Sequence, residues 1–344
     1  MNALTRNTIL IGDARERLAT LPTTSVDCVV TSPPYYQLRD YGAVGQFGLE
    51  ASVGGWVANL RNVMAEVGRV LTPTGSLWLN LGDSFSRHQR YGAPPKSLLL
   101  APERLLLALA TDGWLVRGKI IWAKTNPMPT SVRDRLAMTY EVVYHLTRSP
   151  HYFFDLDLIR EPHRSRGTKR AKTPSGKAAW RGPLAGKHDG LDRARPHGVP
   201  GHPLGKNPGD VWQIATHGHG DHHAAFPGDL VRRPILVTCP EVVCTQCGQP
   251  WTRQLSRQAL GSLMACGCGA PTRPGLVLDP FFGTGTVGVV ARKLGRDWVG
   301  VEISPTFAAI ARGRLGLGAD GYKRSVVCPV ETDWYNRTSV PLLR

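Results

Sequence analysis

LVLDPFFGTGTVGVVARKLGRDWVGVEIS, residues 276–304, reads as a strand, a glycine-rich turn, a helix, a second strand and an acid, in that order. Gly283, Gly285 and Gly288 fit G-x-G-x-x-G in the strand–turn–helix setting that gives the pattern its meaning. Glycine is required there because a side chain would block close approach of a ligand to the turn backbone. Glu302 ends the second strand, where a carboxylate can accept hydrogen bonds from ribose hydroxyls. An ordinary tight turn with a surface acid is the bland alternative, and it leaves the ordered succession of elements unexplained. The glycines alone do not say which nucleotide-like cofactor is bound.

Outward from this unit, short apolar runs rich in Val, Ile, Leu and Trp at 8–11, 27–31, 76–81, 118–122, 140–146, 275–278 and 298–302 read as strands. Helical patterns occupy 57–71, 101–111, 286–294 and 305–315. Such alternation predicts an α/β domain built on a mostly parallel open sheet flanked by helices. Two stretches break it. Residues from about 160 to 208 are rich in Gly, Pro, Lys and Arg with no hydrophobic period, and about 242–271 is rich in Cys. One domain interrupted by two loop-rich insertions follows, divided as 1–159, 160–209, 210–241, 242–271 and 272–344.

The chain has 344 residues, enough for a full core, and carries 42 Lys+Arg against 26 Asp+Glu, a formal charge of +16. The most apolar stretch, 98–110, is broken by Pro102, Glu103 and Arg104, so a membrane helix is not expected. The N-terminus lacks the pattern of a secretory signal, and a soluble cytoplasmic protein is expected. Residues 160–206 hold 12 Lys/Arg and 3 Asp/Glu, which is +9 of the +16. That concentration predicts a polyanionic partner.

Thr31-Ser32-Pro33-Pro34-Tyr35 follows the strand-like residues 27–30 directly. Two successive prolines fix two φ angles and remove two N–H donors, leaving a rigid loop at the ligand-binding edge of the sheet. The loop offers the Ser32 hydroxyl and backbone carbonyls as acceptors beside the aromatic face of Tyr35. These groups suit methylation of an exocyclic amino group, whose nitrogen lone pair is delocalised into the ring. Acceptors holding both amino hydrogens draw the nitrogen toward sp³ geometry, and a stacked ring holds a base flipped from its duplex. A Pro-Pro-Tyr ligand for a small binding module is the alternative, but such ligands lie in disordered tails rather than after a buried strand.

With S-P-P-Y and the F-x-G-x-G turn of Phe281, Gly283 and Gly285 both present, the sequence resembles the amino-methylating (N4-cytosine/N6-adenine) DNA methyltransferases. The catalytic loop precedes the cofactor turn, as in the β group of that family. The resemblance covers about 8–160 and 210–316. It implies a Rossmann-like methyltransferase fold, S-adenosylmethionine as cofactor and double-stranded DNA as substrate, bacterial or phage-encoded. It assigns Ser32, Pro33, Pro34 and Tyr35 to catalysis. It assigns Asp13, Thr31, His223, Phe226, Pro227, Asp279, Pro280, Phe281, Gly283, Gly285, Thr286 and Glu302 to the cofactor. Gly75–Asp83 resembles the strand and turn after the catalytic loop, and Tyr36, Arg39 and Tyr41 join the cleft. Arg164, Arg166, Lys169, Arg170, Lys172, Lys177 and Arg181 fall in the target-recognition region as DNA contacts. Serine before Pro-Pro favours cytosine N4 over adenine N6. A homodimer and a separate cognate restriction endonuclease are further partners the resemblance allows.

Cys244-x-x-Cys247 and Cys266-x-Cys268 form two thiol pairs on glycine-containing turns, suited to one structural Zn²⁺. Such a metal would supply folding energy to an insertion too small for its own core. Cys28, Cys328 and Cys239 lie outside the pairs, and the first two read as small core residues. The run His217, His219, His222, His223 reads as a loop rather than a metal site. Other functions stay open at this point: a nicotinamide-dependent oxidoreductase on the glycine turn, a DNA binder with an inactive methyltransferase core, and a methyltransferase acting on RNA or a protein amide.

Overall fold

The computed structural model describes residues 4–162, 202, 204–216, 226–254 and 260–317. Six strands precede the Cys-rich region: β1 Thr8–Ile11, β2 Val26–Thr31, β3 Leu71–Leu81, β4 Leu115–Lys124, β5 Tyr140–Thr147 and β6 Val211–Ile214. The short strands β7 Val243–Cys244, β8 Thr252–Arg253, β9 Leu263–Met264 and β10 Thr272–Arg273 lie within or bound that region, and β11 Leu276–Asp279 and β12 Asp297–Glu302 follow. Eight strands form one sheet in the order β1-β12-β11-β2-β3-β5-β4-β6. Only β5 runs antiparallel to its neighbours β3 and β4, so the expected mostly parallel sheet is observed.

β2 is buried along its whole length, as a central parallel strand must be, and pairs with β11 through Val277↔Cys28 and Leu278↔Val29. This pairing places the site. The chain segments leaving β2 and β11, which are Ser32-Pro-Pro-Tyr and Pro280-Phe-Phe-Gly, emerge side by side at the C-terminal edge of the sheet.

The helix Val53–Val70 covers one face of the sheet with Val53, Trp56, Leu60, Val63, Met64, Val67 and Val70, a 3–4 residue spacing that buries one stripe. It starts four residues before the position read from sequence. The Ser52 hydroxyl accepts from Gly55 N–H as an N-cap, and this cap outweighs the poor helix propensity of Gly54 and Gly55. The helix Gly228–Thr238 covers the other face, burying Leu230, Val231 and Ile235. β3 begins at Leu71 rather than 76, through an irregular register between Val26 and Cys28. The short edge strand β6 had no legible period because only Trp212 of its four residues is buried. Cys28 and Cys239 are buried core residues, as read for Cys28, while Cys328 lies outside the described residues.

Phe282 stacks on Trp298 at 5.2 Å and 10°, filling the angle between the glycine turn and β12. A Cβ on Gly300 would lie 2.3 Å from Phe282 Cγ, and one on Gly288 would lie 2.7 Å from Phe282 Cζ. Gly300→Ala should therefore destabilise the fold by about 1–3 kcal/mol through overpacking. Urea denaturation checks this, and an unchanged midpoint would contradict it.

Candidate active site

A cleft of about 860 Å³, counting its open mouth, lies at the C-terminal edge of the sheet. Ser32 and Pro34 of the proline loop line it together with Pro280, Phe281, Gly283, Thr286 and Glu302 of the second half. Residues separated by about 250 positions thus share one cavity. Thr31 Oγ1 donates to Asp279 Oδ1 at 2.7 Å and ties the two loops at their bases.

The glycines serve different ends. Gly283 has φ +53° and open space where a Cβ would stand, so its backbone faces the cleft unshielded. Gly285 has φ +81° as the residue before the helix Thr286–Lys293, and a Cβ there would lie 3.0 Å from Ala311 Cβ. Arg314 Nη1 donates to Thr284 O at 2.7 Å and steadies the turn from behind.

Two carboxylates stand at this turn. Burial pushes Asp279 up to about 7, against the hydrogen bonds from Thr31 and from the Phe281 N–H. Burial also raises Glu302, opposed by the backbone N–H groups of Ser304 and Gly283. Glu302 Oε2 accepts from Gly283 N–H at 2.6 Å and Oε1 from Ser304 N–H at 2.8 Å, so the acid shapes the turn as well as lining the cleft.

At the proline loop, Trp56 Nε1 donates to Pro34 O at 2.9 Å and fixes the loop's path, with Pro33 buried. Ser32 Oγ donates to Tyr35 OH at 3.1 Å, and Tyr35 OH donates to Glu141 Oε2 at 2.6 Å. Asn80 Nδ2 lies 3.3 Å from Ser32 Oγ, 2.6 Å from Tyr35 OH and 3.0 Å from Glu141 Oε2. Burial and then the Glu141 charge push the Tyr35 phenol well above its usual range, so it stays a neutral donor.

The structure brings some of the expected residues to the cleft, while Thr31, Pro33, Tyr35 and Asp279 are not among its lining residues. Asp13 caps the helix Ala14–Ala19, accepting from Arg15 N–H at 2.8 Å, while its neighbours Gly12 and Ala14 line the cleft. Phe226 lines the cleft, whereas Pro227 starts the helix Gly228–Thr238. Tyr41 reaches the cleft, but Tyr36 is buried in the main core against Tyr91, and Arg39 is not among the lining residues. An aromatic residue two positions from a catalytic loop reads the same whether it faces core or cleft, which is why Tyr36 misled. His223 and the seven basic residues from Arg164 to Arg181 lie outside the described residues. Reading from sequence missed Phe47, Gln46, Ile303 and Phe307 in the cleft wall, and Lys124 and Glu141 behind Tyr35. For Glu141 a signal existed: an isolated acid in the apolar strand run at 140–146.

In the Cys-rich insertion, the sulfurs of Cys244, Cys247, Cys266 and Cys268 all lie within 4.8 Å of one another. β7 pairs with β10, and the insertion is fixed to the core by Arg253 to Asp155 at 2.8 Å and Arg273 to Asp27 at 2.5 Å. No helix among the described residues is long and apolar enough to cross a membrane.

Comparison with known proteins places this geometry. The chain is 34% identical over 331 residues to the Type II methyltransferase M.Cfr9I of Citrobacter freundii, covering 90% of this chain and 87% of that protein. It is 33% identical over 330 residues to the Type II methyltransferase M.SmaI of Serratia marcescens, covering 89% and 90%. The solved structure of PvuII DNA methyltransferase (cytosine-N4-specific) shares the fold at a TM-score of 0.56 and 18% identity, over 91% of this chain and 87% of that one. Nothing in these likenesses supports the nicotinamide oxidoreductase alternative. The model of the N6/N4 family described as DNA methylase matches residues 26–313, and the chain belongs to that family of DNA amino-methyltransferases.

Proposed function

We propose that this DNA methyltransferase transfers the methyl group of S-adenosylmethionine to cytosine N4 of a base flipped from duplex DNA. The observation that carries the proposal is the single cleft shared by Ser32 and Pro34 with Gly283 and Glu302. Its residues fit the cofactor: an apolar wall of Phe281, Ile303 and Phe307, a bare backbone at Gly283, the lining carboxylate of Glu302 suited to ribose hydroxyls, and the buried negative charge of Asp279 behind the turn to favour a cation. When bound, S-adenosylmethionine supplies an electrophilic methyl group on a sulfonium. Ser32 Oγ and the Pro33 carbonyl accept the two amino hydrogens, hold the nitrogen in line and localise its lone pair. No strong base is needed before transfer, because the proton is acidic once the nitrogen carries the methyl. Tyr35 closes the loop as an aromatic wall, and the basic stretch containing Arg164, Arg166, Lys169, Arg170, Lys172, Lys177 and Arg181 supplies phosphate contacts.

Serine rather than aspartate at position 32 is the reason to prefer cytosine N4, with adenine N6 as the second reading. Nucleoside mass spectrometry of DNA from a host free of amino-methylated bases, expressing this chain, should show N4-methylcytosine. N6-methyladenine in its place would overturn the choice of base and leave the mechanism standing. Likeness to Type II methyltransferases supports a protective role against a cognate endonuclease on a separate chain.

The four clustered sulfurs support a structural zinc. Zn–S bonds of about 2.3 Å in a tetrahedron set sulfurs ~3.8 Å apart, which a cluster within 4.8 Å accommodates. Metal analysis should find about one zinc per chain. Cys247→Ser should lose it and lower the thermal midpoint. Metal-free protein of unchanged stability would contradict the assignment.

A further inference from the structure

The Ser32 hydroxyl is ambivalent, because it can donate or accept, yet the proposed chemistry needs it as an acceptor. Three strands converge behind it. Asn80 lies near the end of β3, Glu141 is the second residue of β5 and Lys124 the last of β4. Lys124 Nζ donates to Glu141 Oε1 at 2.6 Å, and both side chains are largely shielded, at 21% and 14% exposure. The partially screened pair fixes the carboxylate in place beneath the proline loop.

We propose that Glu141, anchored by Lys124, is a positioning residue that commits the Ser32 hydroxyl to accepting a hydrogen bond from the substrate amino group. The inference rests on the amino-methyltransferase reading and deepens it. A carboxylate only accepts, so the single phenolic proton of Tyr35 is spent on Glu141 Oε2 at 2.6 Å. The phenol oxygen must then accept, and it takes the Ser32 hydroxyl proton at 3.1 Å and an Asn80 N–H at 2.6 Å. Ser32 has no proton left for the cleft it lines. One of its lone pairs faces the long contact from Asn80 Nδ2 at 3.3 Å, and the other is available to an amino hydrogen.

Asn80 carries the signature of this polarity. Its Nδ2 faces Glu141 Oε2 at 3.0 Å, and its Oδ1 is buried with no hydrogen-bond partner among the described residues. An unpaired buried amide oxygen is costly. The opposite amide orientation would set that oxygen against the carboxylate, so the carboxylate dictates which end of Asn80 turns inward. Every member of the chain from Lys124 through Glu141 and Tyr35 to Ser32 therefore has one direction of donation.

Glu141→Gln breaks that direction while keeping the shape, because a carboxamide can donate to Tyr35. The phenol is then free to donate to Ser32, whose proton turns out toward the substrate. Single-turnover methyl transfer to duplex DNA should slow by about 10- to 100-fold, with cofactor affinity within about twofold of wild type. Glu141→Asp, which only accepts, should recover part of the rate. In a Tyr35→Phe background the relay is already cut, so Glu141→Gln should add nothing, whereas a merely structural role would make the two losses multiply. Should Glu141→Gln not fold, Lys124→Met carries the same test: slower transfer at unchanged cofactor affinity supports the proposal. A wild-type transfer rate in either variant, or multiplying losses in the double variant, would overturn it. Failure of the underlying reading shows differently, as a wild-type protein that binds cofactor and moves no methyl group to DNA.

Discussion

Replacing Ser32 by alanine lowers the rate of methyl transfer by about 10²- to 10³-fold, the scale on which losing one preorganised polar contact to a reacting group is felt. The substitution removes one of two acceptors and nothing from the cofactor side of the cleft. The amino nitrogen, held only through the Pro33 carbonyl, keeps more of its planar conjugation and presents its lone pair less often in line with the methyl group. Because the Gly283 and Glu302 end of the cleft is untouched, cofactor affinity stays within about twofold of wild type. The fold is spared as well, since among the described residues the Ser32 hydroxyl bonds to the Tyr35 phenol and the Asn80 amide. Rapid-quench single-turnover kinetics with saturating DNA checks the rate, and calorimetric titration checks the affinity. An unchanged rate would remove Ser32 from the mechanism.

Asp279→Asn has an opposite pair of effects, more stability and less cofactor binding. Both hydrogen bonds at Asp279, from Thr31 Oγ1 at 2.7 Å and Phe281 N–H at 3.0 Å, land on Oδ1. An asparagine with its oxygen there keeps both and buries no charge. In the wild type, burial raises the carboxyl from 3.8 to about 7, so the folded protein holds a proton that the unfolded chain releases. Stability of the cofactor-free protein therefore declines as pH rises from about 4 to about 7, and the full cost is present above that window. At roughly 1.4 kcal/mol per pH unit, the rise from 3.8 to about 7 costs about 4 kcal/mol. Asp279→Asn should thus be more stable at pH 8 by about that amount, and the gain should vanish as pH falls toward 4.

The same substitution weakens binding of a cationic ligand by about 10- to 100-fold at pH 8, because it removes the buried negative charge behind the glycine turn that attracts the cation. Wild-type affinity should fall as pH drops below about 7, where Asp279 takes up its proton, and the variant should lose this dependence. Thermal denaturation with and without S-adenosylmethionine across this range measures both effects. A variant less stable than wild type at pH 8, or one with wild-type affinity, would contradict the role assigned to the buried carboxylate.

The strand–turn–helix–strand unit was legible because each of its signals is local: apolar runs, glycines at fixed spacing, an acid at a strand end. Ser32 to Tyr35 was legible for the same reason, since two prolines after a buried strand define a rigid loop without reference to the rest of the chain. The partnership of the two was not visible locally. It comes from β2 and β11 lying side by side, a pairing across about 250 residues that no spacing encodes. Asp13 shows the converse limit. An acid after the first strand reads equally well as a cofactor contact or as a helix cap, and in this structure its carboxylate bonds the N-terminus of Ala14–Ala19. Glu141 and Lys124 escaped because their meaning lies in what they touch, a phenol on another strand's loop. Phe47 and Phe307 escaped because an aromatic residue in a loop carries no sign of which wall it joins.

The most direct test of the account incubates purified protein with methyl-labelled S-adenosylmethionine and unmethylated duplex DNA, then follows the label into digested nucleosides. Label is expected on an exocyclic amino nitrogen, recovered as N4-methylcytosine, and is expected to be lost in Ser32→Ala. Cofactor bound with no label transferred to DNA of any sequence, or label recovered on a ring carbon, would contradict it.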